Sequence, residues 1–165
     1  MIRNNQKIKV SNEILKSYIE IKREDIKKDI LEEIDYSVKI PVKECSLYIH
    51  INECQRHCMV YKVKENEIYM VYKIPFNKFI SDDFLDKIFR VKEKLPIRYS
   101  KMLSRYDRFR VEIIELIELG SIKLLYNDKL DIIEGNIDYN DKYIRLYMNK
   151  DVEFIDIDII RKEEA

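Results

Sequence analysis

The segment "CSLYIHINECQRHC", residues 45–58, carries all three cysteines and both histidines of the chain. Thiolate and imidazole are the ligands zinc prefers, and zinc needs such donors converging on one point. Cys54, His57 and Cys58 are the candidates for a three-ligand site, with His50 a further donor. Spacing argues against their meeting. Alternating residues on both sides of 52–56 predict a hairpin with its turn near Cys54. Cys45 then lies at the far end, up to roughly 30 Å away at about 3.3 Å per residue. Adjacent His57 and Cys58 project to opposite faces of a strand. A Cys–His dyad would need a base within hydrogen-bond reach and an orienting group, and no residue marks either. The weight falls on packing, with the cysteines as small buried hydrophobes and the histidines toward solvent. No resident metal, cofactor or catalytic group is expected.

A second chemistry is electrostatic. Residues 87–110 hold nine basic groups against two acidic ones, and residues 111–165 hold seven against fourteen. The basic block (Arg98, Lys101, Arg105, Arg108 and Arg110, with Tyr106 among them) could attract phosphate, or meet acidic residues of the same chain or of a partner. Asp156 and Asp158 share one face of a strand and could flank a hard cation, but the favoured reading is a solvated face opposite Ile155, Ile157 and Ile159. With two glycines in the whole chain, a glycine-rich phosphate loop has no place to form.

The elements that must position these groups can be read from periodicity. Ser11 stands where a helix cap is needed. After it Leu15, Ile19, Ile26, Ile30 and Ile34 recur at helical steps, predicting one helix over 12–35. Its broad apolar stripe implies burial on more than one side, with Leu15, Ile19, Ile26 and Ile30 as candidate partner contacts. Pro41 ends the helical pattern. "SLYIHI", "HCMVYKV" and "EIYMVYKI" then alternate as three strands of an antiparallel meander, joined at 52–56 and 64–66. "SDDFLDKIF" restores the helical period, with Ser81 as cap and Asp82 and Asp83 at the positive end. "IRYSKMLSRY" and "DRFRVEIIELIELG" predict two further helices, the second ending at Gly120. "SIKLLY" and "KLDIIE" predict a hairpin turned at Asn127–Asp128. Gly135–Asn136 and Asn140–Asp141 predict more turns, and "YIRLYM" and "VEFIDIDII" the last two strands.

At 165 residues the chain is one domain or two small ones, with enough surface to bury for stability without disulfides. An odd number of cysteines also argues against a disulfide framework. Apolar residues make up 46% and charged residues 38%, a globular balance. No run approaches the roughly 18 apolar residues of a membrane span, and the start lacks a signal-peptide core. The expectation is a cytoplasmic protein with no membrane contact.

Helix, helix, helix and hairpin across 81–134 is the order of a winged helix, with the third helix as recognition helix and 121–134 as wing. Within it, "SRYDRFRVEIIELIELGSIKLLYNDKLDII", residues 104–133, resembles the middle components of ABC-three-component systems. These are small winged-helix proteins that accompany an SMC-like ATPase in bacterial anti-phage systems of the Lamassu type. Phe109, Ile113, Leu116, Leu119, Gly120, Ile122 and Leu130 carry the resemblance, all packing positions. It implies a non-enzymatic subunit that docks on an ATPase and touches DNA.

The expected fold is therefore α+β: a long N-terminal helix with a β-meander over 1–80, then a winged-helix-like unit with extra C-terminal strands over 81–165. The expected function is a non-enzymatic adaptor subunit docking on a larger protein, an SMC-like ATPase by resemblance. The alternatives are a winged-helix regulator binding double-stranded DNA and a small metal-dependent enzyme built on Cys54, His57 and Cys58.

Overall fold

The computed structural model describes residues 8–11, 14, 23–92, 99–139 and 142–161, with side chains described except at 23–25, 90–92, 99–105, 139, 142 and 161. The chain divides into two compact units, Met1–Ile74 and Pro75–Ala165.

In the first unit a helix, α1 (Arg23–Asp35), accompanies strands β1 (Lys9–Val10), β2 (Val38–Pro41), β3 (Ser46–Asn52), β4 (His57–Lys64) and β5 (Glu67–Pro75). They form one sheet in the order β1-β5-β4-β3-β2, with β1 parallel to β5. The β4–β5 connection is two residues, Glu65 and Asn66, both at positive φ (54° and 63°). That backbone matches the right-handed twist of a tight hairpin. At the β3–β4 turn Asn52 Oδ1 accepts from Gln55 N–H at 3.0 Å, a local bond suited to Asn. Ile26, Ile30 and Ile34 recur every four residues on α1, so they share one face. That face is buried with Tyr48, Met59, Tyr61, Val63 and Ile68 of the sheet and with Ile8 and Val10. Each fully buried isoleucine stabilises by roughly 1.5–3 kcal/mol.

The second unit opens with a short helix, α2 (Phe76–Phe79), followed by α3 (Asp82–Lys92) and α4 (Tyr99–Glu118). Strands β6 (Leu125–Asn127), β7 (Ile132–Tyr139), β8 (Lys142–Met148) and β9 (Phe154–Arg161) form an antiparallel sheet in chain order. Ser81 caps α3: its Oγ accepts from Phe84 N–H at 3.1 Å, and Asp82 and Asp83 stand in the first turn. Phe154 of β9 lies 5.3 Å, ring to ring, from both Phe79 and Phe84. Phe89 of α3 meets Tyr106 and Phe109 of α4 at 5.3 and 5.7 Å.

Gly120 follows α4 at φ 77°, and its N–H bonds Ile117 O. The left-handed backbone required there is the reason for glycine. Gly135 has a different role. It lies within β7, not in a turn, and a Cβ there would meet Ile122 Cγ2 and Leu124 Cδ2 at 3.0 Å. Glycine lets the segment before β6 pass close over the strand. At the β8–β9 turn Asn149 Oδ1 accepts from Asp151 and Glu153 N–H. Val152 is held there at φ 66° and fully buried. Positive φ in a β-branched residue costs about 1–3 kcal/mol, which burial of its side chain offsets.

This architecture corrects the expected one. Among the described residues strand exceeds helix, and the helices and sheets do not assemble as a long N-terminal helix plus a winged-helix unit. The two helices predicted over 97–120 are a single helix, α4, running through Asp107. "SRYDRFR" contains neither proline nor glycine. Ser and Asp each cost only a few tenths of a kcal/mol in a helix interior, too little to break it. Asp107 is further held by an i,i+3 ion pair with Arg110 at 3.0 Å. The predicted wing is the first hairpin of a four-stranded sheet, whose strands must pair onward to bury Ile133, Ile144 and Leu146. Its turn also differs from expectation. Asn127 Oδ1 accepts from Lys129 and Leu130 N–H, and the residue at positive φ is Asp131. Of the long first helix, Ile14 is helical, with its N–H 3.4 Å from Ser11 Oγ, and Arg23–Asp35 is helical. Residues 15–22 and the predicted turn at 140–141 lie outside the described residues.

Candidate functional site

On α1, Asp29, Glu32 and Glu33, with Tyr36 just past the helix end, stand at steps of three and four, so they form one ridge. The apolar residues Ile26, Ile30 and Ile34 fix how that ridge sits, since they must face the sheet. The ridge then falls beside the sheet residues flanking the core. Glu33 is the pivot. Tyr61, almost fully buried on β4, donates its hydroxyl to Glu33 Oε2. Ser37 Oγ donates to the Glu33 backbone oxygen at 2.6 Å. Glu33 is thus half-buried and oriented, whereas Asp29 and Glu32 are exposed.

These residues and His50 of β3 line a pocket of about 350 Å³. His50 pairs across with Met59, on the same sheet side as Tyr48 and Tyr61. Its Nδ1 is buried and has no hydrogen-bond partner among the described residues. No described Lys or Arg forms an ion pair with Asp29, Glu32 or Glu33. The cleft presents three carboxylates, an open phenol ring (Tyr36, 66% exposed) and an imidazole. An ammonium or guanidinium group suits this lining, through charge-assisted hydrogen bonds to carboxylate and attraction to the ring face.

The structure separates the Cys–His cluster. Cys54 is exposed in the β3–β4 turn, and Cys58 is fully buried on β4, paired with Ile51. His57 pairs with Asn52 on the opposite sheet side from Cys58. Cys45 sits half-buried before β3. None of the three cysteines is in a disulfide, and among the described residues no group of three His, Cys, Asp or Glu side chains is placed to hold a metal. Cys45 has another role: hydrogen bonding with it, and then burial, push the Tyr69 phenol up to about 12.

The basic block is partly spent on the fold. Arg110 is buried; its Nε donates to Ile80 O at 2.7 Å, and its other nitrogens to Asp107 and Asp82. This one guanidinium ties α4 to the first turn of α3. Tyr106 is buried and donates to Asp86. Lys87 donates to Ile155 O at 2.7 Å. Arg108 is exposed. Lys101 and Arg105 lie on α4 with side chains outside the described residues, and Arg98 lies outside them altogether. Among the candidate partner contacts, Ile26 and Ile30 are buried in their own unit, 3% exposed each. Leu15 and Ile19 fall outside the described residues.

Sequence reading passed over Asp29, Glu32, Glu33 and Tyr36, although the spacing within "DILEEIDY" puts them on one ridge. A polar ridge beside an apolar stripe is ordinary for a surface helix. What distinguishes this one is His50, brought to it by the strand pairing. Among the described residues no helix is long and apolar enough to cross a membrane. No family model, curated protein or solved structure matches the chain.

Proposed function

We propose that the protein is a non-enzymatic accessory subunit that holds a larger protein partner through a cationic side chain seated in the cleft of Asp29, Glu32, Glu33, Tyr36 and His50. The observation that carries this reading is the convergence of three carboxylates on one pocket with no described cation to neutralise them. Preorganisation supports Glu33 as the anchor, because Tyr61 holds its carboxylate in one geometry before any ligand arrives. Exposed Asp29 and Glu32 steer the approach and add a fraction of a kcal/mol each.

Acetyl-arginine amide, titrated into ¹⁵N-labelled protein, is the test. Shifts confined to residues 29–36 and 48–52 are expected, weakening about tenfold in Glu33→Gln and reversing at high salt. Shifts elsewhere, or equal shifts in Glu33→Gln, would remove the reading.

A further inference from the structure

The second unit carries a surface of different design. In β8, the residues alternate between Ile144, Leu146 and Met148, all buried, and Tyr143, Arg145 and Tyr147 on the opposite side. Strand register places partners beside that second set. Glu134, Tyr147 and Asp156 form one row across β7, β8 and β9. Asn136, Arg145 and Asp158 form the next, and Asp138, Tyr143 and Ile160 the third. The face is therefore a tyrosine–arginine–tyrosine stripe bordered by four carboxylates.

Its internal bonds hold it in place. Tyr147 donates to Asp158 Oδ2 at 2.6 Å, and Arg145 Nε to Asn136 Oδ1 at 3.3 Å. Asn127 of β6 donates to Glu134 Oε1 at 2.9 Å. Lys87 approaches Asp156 at 3.7 Å and partly neutralises it. Among the described side chains the face holds four carboxylates and two cations, Arg145 and Lys87. Tyr143 is 38% exposed, and Leu125, at 63%, extends the face beyond Glu134 with an apolar contact.

We infer that this face docks an extended, arginine- or lysine-rich segment of a partner protein. The charge balance selects a cationic occupant, and phenol rings bordered by carboxylates attract guanidinium and ammonium groups. Dimensions agree with an extended chain. Tyr143 and Tyr147 are four residues apart on one strand, about 13–14 Å, which is the repeat of residues i and i+4 in an extended peptide. Two aromatics on an open sheet are also a platform on which single-stranded nucleic acid stacks, but such platforms track the phosphates with a basic groove, and here the border is acidic. This surface is independent of the α1 cleft, and either can fail alone.

The test is fluorescence anisotropy with two labelled probes, octa-arginine and an eight-nucleotide oligothymidine. Octa-arginine is expected to bind at low salt and oligothymidine not to bind. The Glu134→Gln/Asp138→Asn/Asp158→Asn variant is expected to weaken the peptide roughly tenfold, from three surface charges. Tyr143→Leu is expected to weaken it about threefold. Arg145→Glu adds an acidic group and is expected to tighten binding severalfold, a gain that misfolding cannot mimic. Every protein in this series also carries Glu33→Gln, so that the α1 cleft does not contribute to the binding read. Tighter binding of oligothymidine than of peptide, or peptide affinity unchanged by the triple and Arg145→Glu substitutions, would overturn the inference.

Discussion

The two sheets of this protein are built from strands of the same alternating kind, yet they differ in what their faces do. In the first, Leu47, Ile49, Cys58 and Val60 are 1% exposed or less, and Tyr48, Tyr61 and Met59 on the opposite side are also buried. In the second, Ile144 and Leu146 are buried while Tyr143 faces water. A period of two says which residues share a side; it does not say how many sides are covered. Aromatic residues show the difference best. Tyr61 in the first sheet is core, its hydroxyl spent on Glu33, whereas Tyr147 in the second bonds Asp158 at the surface.

Truncations on the two sides of the first sheet give the largest expected effect. Ile49→Ala is expected to cost about 2–5 kcal/mol and Tyr61→Ala about 3–5 kcal/mol. Urea denaturation checks both, and a cost under about 1 kcal/mol for either would show that its side is not packed. Next in size is Gly135→Ala on the inner side of the second sheet. Its Cβ must displace the buried ends of Ile122 and Leu124. A loss of about 1–3 kcal/mol is expected from such overpacking. Equal or higher stability would mean that the segment at 122–124 moves freely.

The pH dependence sharpens where burial of the first sheet ends. The Tyr69 phenol is pushed up to about 12, first by hydrogen bonding with Cys45 and then by burial. The folded state therefore holds this proton more tightly than the unfolded chain. The resulting stability is complete below about pH 10 and is lost as pH rises from there toward about 12. Urea midpoints between those limits should fall more steeply for the wild type than for Tyr69→Phe; parallel curves would contradict it. In the second sheet the Tyr147 phenol is also raised, mainly by its bond to Asp158, with Arg145 opposing. The smallest stability effect belongs there. Arg145→Ala is expected to stay within about 0.5 kcal/mol of the wild type while raising the Tyr147 phenol further, read by ultraviolet titration.

Features that were legible beforehand are those a residue settles with its near neighbours. Ser81 bonds the N–H three residues on, and Gly120 supplies a left-handed backbone that other residues resist. Strands β3, β4 and β5 announce themselves by alternation, and the joints between them by polar residues. The winged-helix reading failed at a point equally local in appearance. Asp107 resembles a helix start, but in place it is an interior residue paired with Arg110, and Arg110 is held by Ile80 and Asp82, far back in the chain. Likewise Gly135 passes for a turn until Ile122 and Leu124 are seen lying over it.

By itself, then, the sequence determined the caps at Ser81 and Gly120, the strands and joints between residues 46 and 75, and which residues of those strands share a side, because these follow from φ, hydrogen bonding within a few residues, and periodicity. Tertiary structure alone decided that α4 is unbroken, that Arg110 is a buried tie, and that one sheet keeps an open face. It also decided that His50 joins Asp29, Glu32 and Glu33 instead of its neighbouring cysteines. These outcomes depend on pairing between distant segments, where register sets which groups meet, and a change of one residue in register would exchange every face.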